Sequence, residues 1–246
     1  MSSNENYSDN INKALKAAQN GEMFFIFDSD SREGETDFVI AAGAVTPDDV
    51  RWMRRDGGGL ICVALDGESS EKLGLPFISD ILRDEVDNYP ALGTIVERGG
   101  DLAYDSRSSF SIWVNHRRTR TGIPDNDRAL TINELSNITE KALDGKEVDF
   151  GSEFRTPGHV ALLRAADRLV HERRGQTELS IAIAKMAAVT PAMVVCEMLD
   201  DSNGKALSRE DAIEYAQLHD LVFLEGQEIV DAYEQWESSQ ASHQKE

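Results

Sequence analysis

The stretch Met23-Phe24-Phe25-Ile26-Phe27 runs directly into the acidic segment Asp28-Ser29-Asp30-Ser31-Arg32-Glu33-Gly34-Glu35-Thr36-Asp37. The apolar run predicts a short buried strand, and the carboxylates after it place oxygen ligands for a hard cation such as Mg²⁺ at the end of that strand. Arg32 adds a planar guanidinium that suits an anionic substrate. The alternative at this point is a solvated acidic loop without a function.

The composition of the chain narrows the class of protein. Its 246 residues, 40% of them hydrophobic, are enough for one large domain, which we prefer to two small ones. No apolar run approaches the roughly 20 residues that cross a bilayer, and residues 1–6 lack the features of a signal peptide, so we expect a cytoplasmic protein. Cys62 and Cys196 lie in apolar runs, as small core residues do, and predict neither a disulfide framework nor a zinc site.

The net charge of -20, from 45 acidic and 25 basic residues, restricts the possible partners. Nucleic acids and anionic membranes both require a clustered basic surface, so we expect neither as a partner. Lysine is scarce, with 8 lysines against 17 arginines. Because strong salt screens the self-repulsion of such an acidic surface, we hypothesise a halophilic host.

Apolar periodicity and caps predict helices and strands that are interleaved without strict alternation or an internal repeat. The predicted helices cover residues 8–20, 46–57, 131–143, 177–188 and 208–219, and Thr131 and Glu134 form a capping box that opens the third. The predicted strands are 23–27, 38–42, 60–65, 109–114, 193–199 and 221–224. Residues 83–108 are polar and irregular, and a polar, frayed tail begins at about 236. We therefore predict an α+β fold over residues 1–246, a single domain with a mixed sheet flanked by helices.

Three further segments carry residues that suit chemistry. In Arg155-Thr156-Pro157-Gly158-His159, proline and glycine predict a tight turn that presents the imidazole in a fixed direction. In Arg173-Arg174-Gly175-Gln176-Thr177-Glu178, the start of a helix predicts a phosphate site made of backbone N–H groups with Arg173 and Thr177. Glu197 lies inside an apolar run, where a carboxylate needs a partner or a proton, and this suits proton transfer. The plainer alternatives are a packed histidine, an ordinary helix start and a structural ion pair.

Acids for a cation, arginines for a phosphate, and a histidine with a glutamate for proton transfer together suit the enolisation of a sugar phosphate. On these same residues the chain closely resembles the 3,4-dihydroxy-2-butanone 4-phosphate synthase family in its stand-alone archaeal form. The likeness covers about residues 10–235. It runs in one order through Asp28–Asp37, Asp56-Gly-Gly-Gly-Leu-Ile-Cys62, Ser108-Ser-Phe-Ser111, Thr121-Gly-Ile-Pro-Asp-Asn-Asp-Arg128, Arg155–His159 and Cys196-Glu197.

The resemblance implies a lyase of riboflavin biosynthesis that converts D-ribulose 5-phosphate to L-3,4-dihydroxy-2-butanone 4-phosphate and formate, with Mg²⁺ or Mn²⁺. In that family the reaction proceeds by enolisation, loss of a hydroxyl, rearrangement of the carbon skeleton and expulsion of one carbon as formate. The resemblance also implies a homodimer with active sites at the subunit interface. It assigns His159 and Glu197 to catalysis and Glu33 to the metal. The implied substrate contacts are Arg32, Glu33, Asp37, Arg173, Arg174, Gly175, Gln176, Thr177 and Glu197, with Arg173 and Thr177 at the phosphate.

One position departs from the family pattern. Where the family has Gly-His-Thr-Glu, with the histidine as a second metal ligand, this chain has Gly175-Gln176-Thr177-Glu178. The Gln176 amide offers a neutral carbonyl oxygen, which a hard cation accepts. We expect Gln176 to replace the histidine as a metal ligand with activity retained; the alternative is weakened metal binding and lost activity.

Two other functions compete with the synthase. One is an isomerase or aldolase-like lyase that acts on another phosphorylated ketose, and the other is a catalytically inactive protein that binds a cation or a phosphate. Only the synthase releases formate, so formate separates the three. We do not expect the fused form that adds a GTP cyclohydrolase module, because of the chain's length and the lack of a cysteine-rich zinc pattern.

Overall fold

A seven-stranded mixed sheet runs through residues 7–243, which are the residues that the computed structural model describes. The strands of the chain are β1 (Phe24–Phe27), β2 (Thr36–Ala41), β3 (Cys62–Leu65), β4 (Phe110–His116), β5 (Phe154–Arg164), β6 (Ala192–Glu197), β7 (Leu199–Asp200), β8 (Lys205–Ala206) and β9 (Phe223–Glu225). The large sheet has the order β4-β5-β3-β6-β2-β1-β9, and β7 and β8 form a separate pair. β5 is parallel to β3 and β9 is parallel to β1, whereas the other pairs of the large sheet are antiparallel.

Helices cover both faces of the large sheet. They are α1 (Asp9–Asn20), α2 (Pro47–Trp52), α3 (Gly67–Lys72), α4 (Ile78–Asp84), α5 (Leu92–Ile95), α6 (Asp125–Leu143), α7 (Phe150–Glu153), α8 (Gln176–Met186), α9 (Arg209–Leu218) and α10 (Gly226–His243). One apolar core lies between the sheet and α2, α6 and α9, and the other lies between the sheet and α1, α8 and α10. This arrangement confirms the predicted α+β fold, a single domain with a mixed sheet flanked by helices.

The first two helices begin where predicted, and a side chain caps each of them. The Ser8 hydroxyl accepts a hydrogen bond from the Ile11 N–H, and α1 ends at Gly21 in the left-handed conformation with φ 70°. Thr46 and Asp49 form a reciprocal capping box at the start of α2. A π-helical turn, Met53–Gly57, continues α2 into the glycine run, as the predicted helix end requires.

The predicted capping box at Thr131 is wrong, because α6 already begins at Asp125. The Thr131 hydroxyl instead donates to the Asp127 carbonyl at 2.9 Å, one turn earlier, and accepts a hydrogen bond from the His116 N–H at 3.1 Å. A hydroxyl that contacts a neighbouring strand serves packing and not capping. The predicted end of this helix, at residues 144–145, is confirmed.

The predicted tight turn at Arg155–His159 is also wrong, because these residues belong to β5. The register between β4 and β5 jumps from Val114 opposite Val160 to Asn115 opposite Arg155. The four residues between Arg155 and Val160 have no paired residue on β4 and interrupt the pairing. Proline and glycine therefore deform a strand here and do not reverse the chain.

The predicted frayed tail from about residue 236 is wrong as well, because α10 extends to His243. Val230 and Tyr233 of this helix are buried in the second core, which is the packing that stabilises it. The prediction for residues 1–6 lies outside the described residues. Within residues 7–243 no helix is both long enough and apolar enough to cross a membrane.

Candidate active site

A cavity of about 230 Å³ lies between the large sheet and the first turn of α8. Six of the residues predicted for the site line it: Glu33, Asp37, Arg173, Gln176, Thr177 and Glu197. Asp37 and Glu197 are directly opposite each other in the register of β2 and β6, so strand pairing brings these two carboxylates together. The tertiary structure thus collects most of the predicted site in one place.

Residues 28–35 of the acidic segment connect the antiparallel strands β1 and β2, and the last two residues of the segment begin β2. The buried Asp28 carboxylate holds this connection in shape, because it accepts hydrogen bonds from the N–H groups of Glu33 and Glu35, both at 3.1 Å. The first acid of the segment therefore organises its backbone, a role that the sequence analysis missed. The Glu33 side chain is left to face the cavity.

The Gln176 amide has a fixed direction. Its Nε2 donates to the carbonyl oxygens of Ile26 and Glu35, both at 3.0 Å. The opposite amide orientation would place an oxygen against two carbonyl oxygens, so the hydrogen bonds decide the assignment. Gln176 Oε1 is buried and has no hydrogen-bond partner among the described residues. An unpartnered buried carbonyl oxygen on the wall of an acidic cavity fits a ligand of a hard cation.

The side chains that could bind a metal in this cavity are few, and they offer oxygen atoms. Among residues 7–243, no group of three or more His, Cys, Asp or Glu side chains is placed to hold a metal ion. Glu33 and Gln176 line the same cavity and together offer one carboxylate and one neutral carbonyl oxygen. This pair fits a cation such as Mg²⁺, which keeps several water ligands and takes few ligands from the protein.

The carboxylate of Glu197 is held by the backbone and is only partly buried. Its Oε2 accepts a hydrogen bond from the Leu60 N–H at 2.8 Å. The expectation of a buried charge that requires a partner side chain or a proton is therefore corrected, because the end of β6 opens into the cavity. The glycine before Leu60 leaves the space in which this carboxylate lies.

Burial raises the pKa of several carboxyl groups in and beside the cavity. Desolvation, together with the negative charge of Glu197, raises the pKa of Asp37 well above its ordinary value, and Asp37 Oδ1 has no hydrogen-bond partner among the described residues. Desolvation also raises the pKa of Glu33, although the charge of Arg173 opposes the shift. For Glu35, desolvation and then the charge of Glu33 raise the pKa to about 7. Burial and the neighbouring carboxylates thus disfavour the charged forms of these acids, and a bound cation would favour them.

A second cavity, of about 820 Å³, adjoins the first, and Arg173 lines both. Arg32 and Arg174 line this outer cavity. Arg173 pairs with the buried Glu178 at 2.6 Å and with Asp105 at 2.7 Å. The sequence analysis assigned no role to either of these carboxylates.

The structure does not bring His159 into either cavity of the described chain. Its backbone N–H donates to Asn115 Oδ1 at 2.9 Å, which orients that amide. The Asn115 Nδ2 group then lies 3.1 Å from His159 Nδ1 and donates to it, so the neutral imidazole carries its proton on Nε2. His159, a predicted catalytic residue, is thus oriented by a neighbouring strand but lies apart from the six predicted residues that line the cavity.

Comparison with known proteins gives the family. The family model described as 3,4-dihydroxy-2-butanone 4-phosphate synthase matches residues 12–232. The chain belongs to this family. A synthase of that name from Methanosarcina acetivorans is 62% identical over 233 residues, which are 95% of this chain and 94% of the relative. One from Archaeoglobus fulgidus is 51% identical over 230 residues, which are 94% of this chain and 96% of the relative.

Solved synthase structures share the fold. The chain is similar to a cation-free synthase, with a TM-score of 0.74 and 28% identity over 94% of this chain and 100% of that one. It is also similar to a synthase in complex with two magnesium ions, with a TM-score of 0.73 and 27% identity over 92% of this chain and 97% of that one. The resemblance inferred from the motifs is confirmed at the level of the family, and the halophilic host stays a hypothesis.

Some residues of the site were not predicted, and they differ in whether the sequence indicates their role. Asp28 lies directly after a predicted strand and before a loop that contains Gly34. An aspartate at the start of a loop often accepts hydrogen bonds from the loop's own N–H groups, so the sequence did indicate this role. Asn115 and Asp105 gave no such signal, because the partner of Asn115 is 44 positions away along the chain and the partners of Asp105 are 68 and 73 positions away. No periodic pattern predicts contacts of this range.

Proposed function

We propose that this chain converts D-ribulose 5-phosphate to L-3,4-dihydroxy-2-butanone 4-phosphate and formate, with Mg²⁺ or Mn²⁺ as cofactor. The observation that carries the proposal is the fixed Gln176 amide, whose buried oxygen has no partner among the described residues, in a residue that lines the same cavity as Glu33. The family's histidine is absent, and an oxygen that suits the same cation takes its place. The complex of a related synthase with two magnesium ions supports a divalent cation.

Glu33 and Gln176 would hold the cation on the cavity wall. When bound, the cation polarises the substrate's carbonyl and stabilises the charge that develops on enolisation. Burial, and after it the neighbouring carboxylates, raises the pKa values of Glu33 and Asp37, and a cation beside these groups would favour their charged forms.

The remaining side chains bind the substrate and move its protons. Arg173 and the first turn of α8, with Thr177, face the phosphate, because both supply N–H donors to an anion at the uncapped start of a helix. Glu197 accepts and returns a proton in the enolisation, and its hydrogen bond from Leu60 fixes the direction of its carboxylate. Asp37 contacts the substrate from the opposite strand.

His159 serves the active site of a partner subunit in this proposal. Its orientation by Asn115 leaves Nε2–H available, while neither cavity of its own chain includes it. We infer a homodimer in which each site takes five or more side chains from one subunit and His159 from the other. A ring N–H in a fixed direction suits a hydrogen bond to an oxygen atom of the substrate.

The test is formate release from ribulose 5-phosphate by the purified protein, with Mg²⁺, with Mn²⁺ and after chelation by EDTA. We expect formate with either metal and none after chelation. The matched variant Gln176→His restores the family's ligand and should retain the activity. Folded protein that yields no formate, while Gln176→His does, would establish instead that the native chain only binds its ligands.

A further inference from the structure

A single carboxylate, that of Asp105, joins the two arginines beside the active site. Arg32 Nη1 donates to Asp105 Oδ1 at 3.2 Å, and Arg32 Nη2 donates to Oδ2 at 2.8 Å. Arg173 Nε donates to the same Oδ2 at 2.7 Å. The side chains of Arg32, Arg173 and Asp105 are only 11%, 14% and 7% exposed. This is a largely buried, charge-assisted bridge rather than a surface ion pair.

The bridge lies at the start of α8, where an anion is favoured. A Cβ atom at Gly175, the N-cap of α8, would lie 2.7 Å from Arg173 Cζ and 2.9 Å from Arg32 Nη2, so both guanidiniums pack against this residue. No side chain of the described residues caps the helix. Two guanidiniums and an uncapped helix start are the donors that hold a phosphate, and the Asp105 carboxylate is already bonded to the guanidiniums.

Arg32 and Arg173 do not carry enough positive charge to bind a phosphate and the Asp105 carboxylate at the same time. Arg32 and Arg173 carry two positive charges and already face three carboxylates, those of Asp28, Asp105 and Glu178. Asp28 and Glu178 are fully buried parts of the scaffold, since each also accepts hydrogen bonds from backbone N–H groups. Of the three, Asp105 is the carboxylate that a phosphate dianion can replace.

The segment that carries Asp105 is weakly anchored. None of residues 80–108 is fully buried, so little apolar surface holds this stretch on the body of the protein. Beside the arginines it is attached by the Asp105 bridge and by Tyr104, whose ring lies 5.6 Å from the Arg32 guanidinium carbon, whose carbonyl accepts a hydrogen bond from Arg32 at 3.4 Å and whose side chain bonds to Glu33. A stretch with few buried contacts opens at low free-energy cost, which a tightly bound ligand can supply.

We propose that Asp105 is a specificity-determining residue: an internal carboxylate that a ligand's phosphate must displace from Arg32 and Arg173. The inference rests on the proposed function in that the phosphate is the substrate's. A phosphate dianion, with three terminal oxygens and nearly two negative charges, outcompetes a tethered carboxylate. A free carboxylate or an uncharged sugar does not, because each offers no more than Asp105 already supplies at high effective concentration. Asp105 therefore selects phosphorylated substrates.

The test measures binding rather than turnover. Inorganic phosphate and, as a carboxylate probe, acetate are titrated calorimetrically into the full chain and into Asp105→Asn. The matched control is Asp101→Asn, which removes the same charge from an exposed position of the same segment, where the carboxylate accepts a hydrogen bond from the Arg98 N–H and contacts neither arginine of the bridge. We expect Asp105→Asn to bind phosphate about tenfold more tightly and to gain measurable acetate binding, and the control to match the wild type. Unchanged or weaker phosphate binding by Asp105→Asn would overturn the proposal and make Asp105 a support for the arginines.

A second measurement uses the unmodified protein, in case Asp105→Asn does not fold. Hydrogen exchange is measured with and without phosphate. Phosphate should speed exchange at residues 101–106, because it releases this segment, and should slow exchange at the start of α8, because it covers those N–H groups. Equal or slower exchange at residues 101–106 would contradict displacement. Formate release is measured in parallel. Displacement without formate would defeat the proposed function alone, and formate without displacement would defeat this inference alone.

Discussion

The absence of a side chain at Gly59 leaves the space that the Glu197 carboxylate occupies. A Cβ atom there would overlap Glu197 Oε2 and would lie 2.6 Å from the Glu197 carbonyl oxygen. We expect Gly59→Ala to displace the carboxylate from the Leu60 N–H and to lower kcat for formate release about 100-fold, with a smaller change in KM, because a proton-transfer group is misplaced. The control is Gly99→Ala, since no atom lies within 4 Å of a Cβ at that glycine. A wild-type kcat in Gly59→Ala would remove Glu197 from its assigned role.

Asp37 is a second residue whose environment makes a measurable prediction. Its pKa is raised in the folded state by burial, so between the ordinary aspartate pKa of about 3.9 and the raised value the folded chain binds a proton that the unfolded chain has lost. The free energy of unfolding therefore falls as pH rises through that range. We expect Asp37→Asn to remove this slope and to stabilise the metal-free protein by about 1–3 kcal/mol at pH 7, while formate release is lost.

Urea unfolding in EDTA at several pH values measures this effect. The control is Asp48→Asn, since the side chain of Asp48 is 76% exposed. Equal pH slopes for the wild type and Asp37→Asn would show that Asp37 ionises normally in the fold.

At the scale of elements, the bulge in β5 depends on one glycine. A Cβ atom at Gly158 would overlap the backbone of Val114 and Asn115 on the neighbouring strand. Since backbone atoms cannot move aside as a flexible side chain does, we expect Gly158→Ala to lower the free energy of unfolding by about 2–4 kcal/mol and to disturb His159, the next residue. Urea unfolding checks this, again with Gly99→Ala as the neutral comparison. A substitution at Gly158 that leaves stability unchanged would mean that β4 and β5 can re-register.

The elements also show where local sequence is sufficient and where it is not. The helices α1, α2 and α9 begin at the predicted starts, residues 8, 46 and 208, where the side chains of Ser8, Thr46 and Ser208 each accept a hydrogen bond from the backbone N–H three positions later. β5 was missed because its proline and glycine are typical of turns, and only the pairing of the residues on either side of them with β3 and β4 continues the strand. The start of α6 was misplaced because the Thr131 hydroxyl bonds to β4.

At the scale of the whole molecule, the separation of His159 from the cavity predicts complementation between subunits. Glu33→Ala and His159→Ala should each lack formate release, because each removes one contributor to every site. If the sites are shared, unfolding and refolding the two variants together produces mixed dimers with one intact site. We expect roughly a quarter of the wild-type activity from an equal mixture. A mixture as inactive as its parents, with dimers shown to form, would place His159 and Glu33 in the same subunit's site or remove His159 from catalysis.

The charge of -20 makes a second prediction at this scale. Salt screens repulsion among exposed carboxylates, so the free energy of unfolding should rise by about 1–2 kcal/mol between about 0.1 M and about 2 M NaCl. Urea unfolding at each salt concentration measures this. A free energy of unfolding that does not change with salt would count against both the screening argument and the halophilic host.

The sequence by itself determined the α+β class, most element positions, the family and the residues Glu33, Gln176 and Glu197 as candidates, because caps, periodicity and motifs are contacts or patterns of short range. Only the tertiary structure decided how these side chains face each other. The direction of the Gln176 oxygen depends on the carbonyl groups of Ile26 and Glu35, which are 150 and 141 positions away. The bridge from Asp105 and the exclusion of His159 depend likewise on strand order and loop path, since contacts across such distances follow from how the elements pack and leave no periodic trace in the chain.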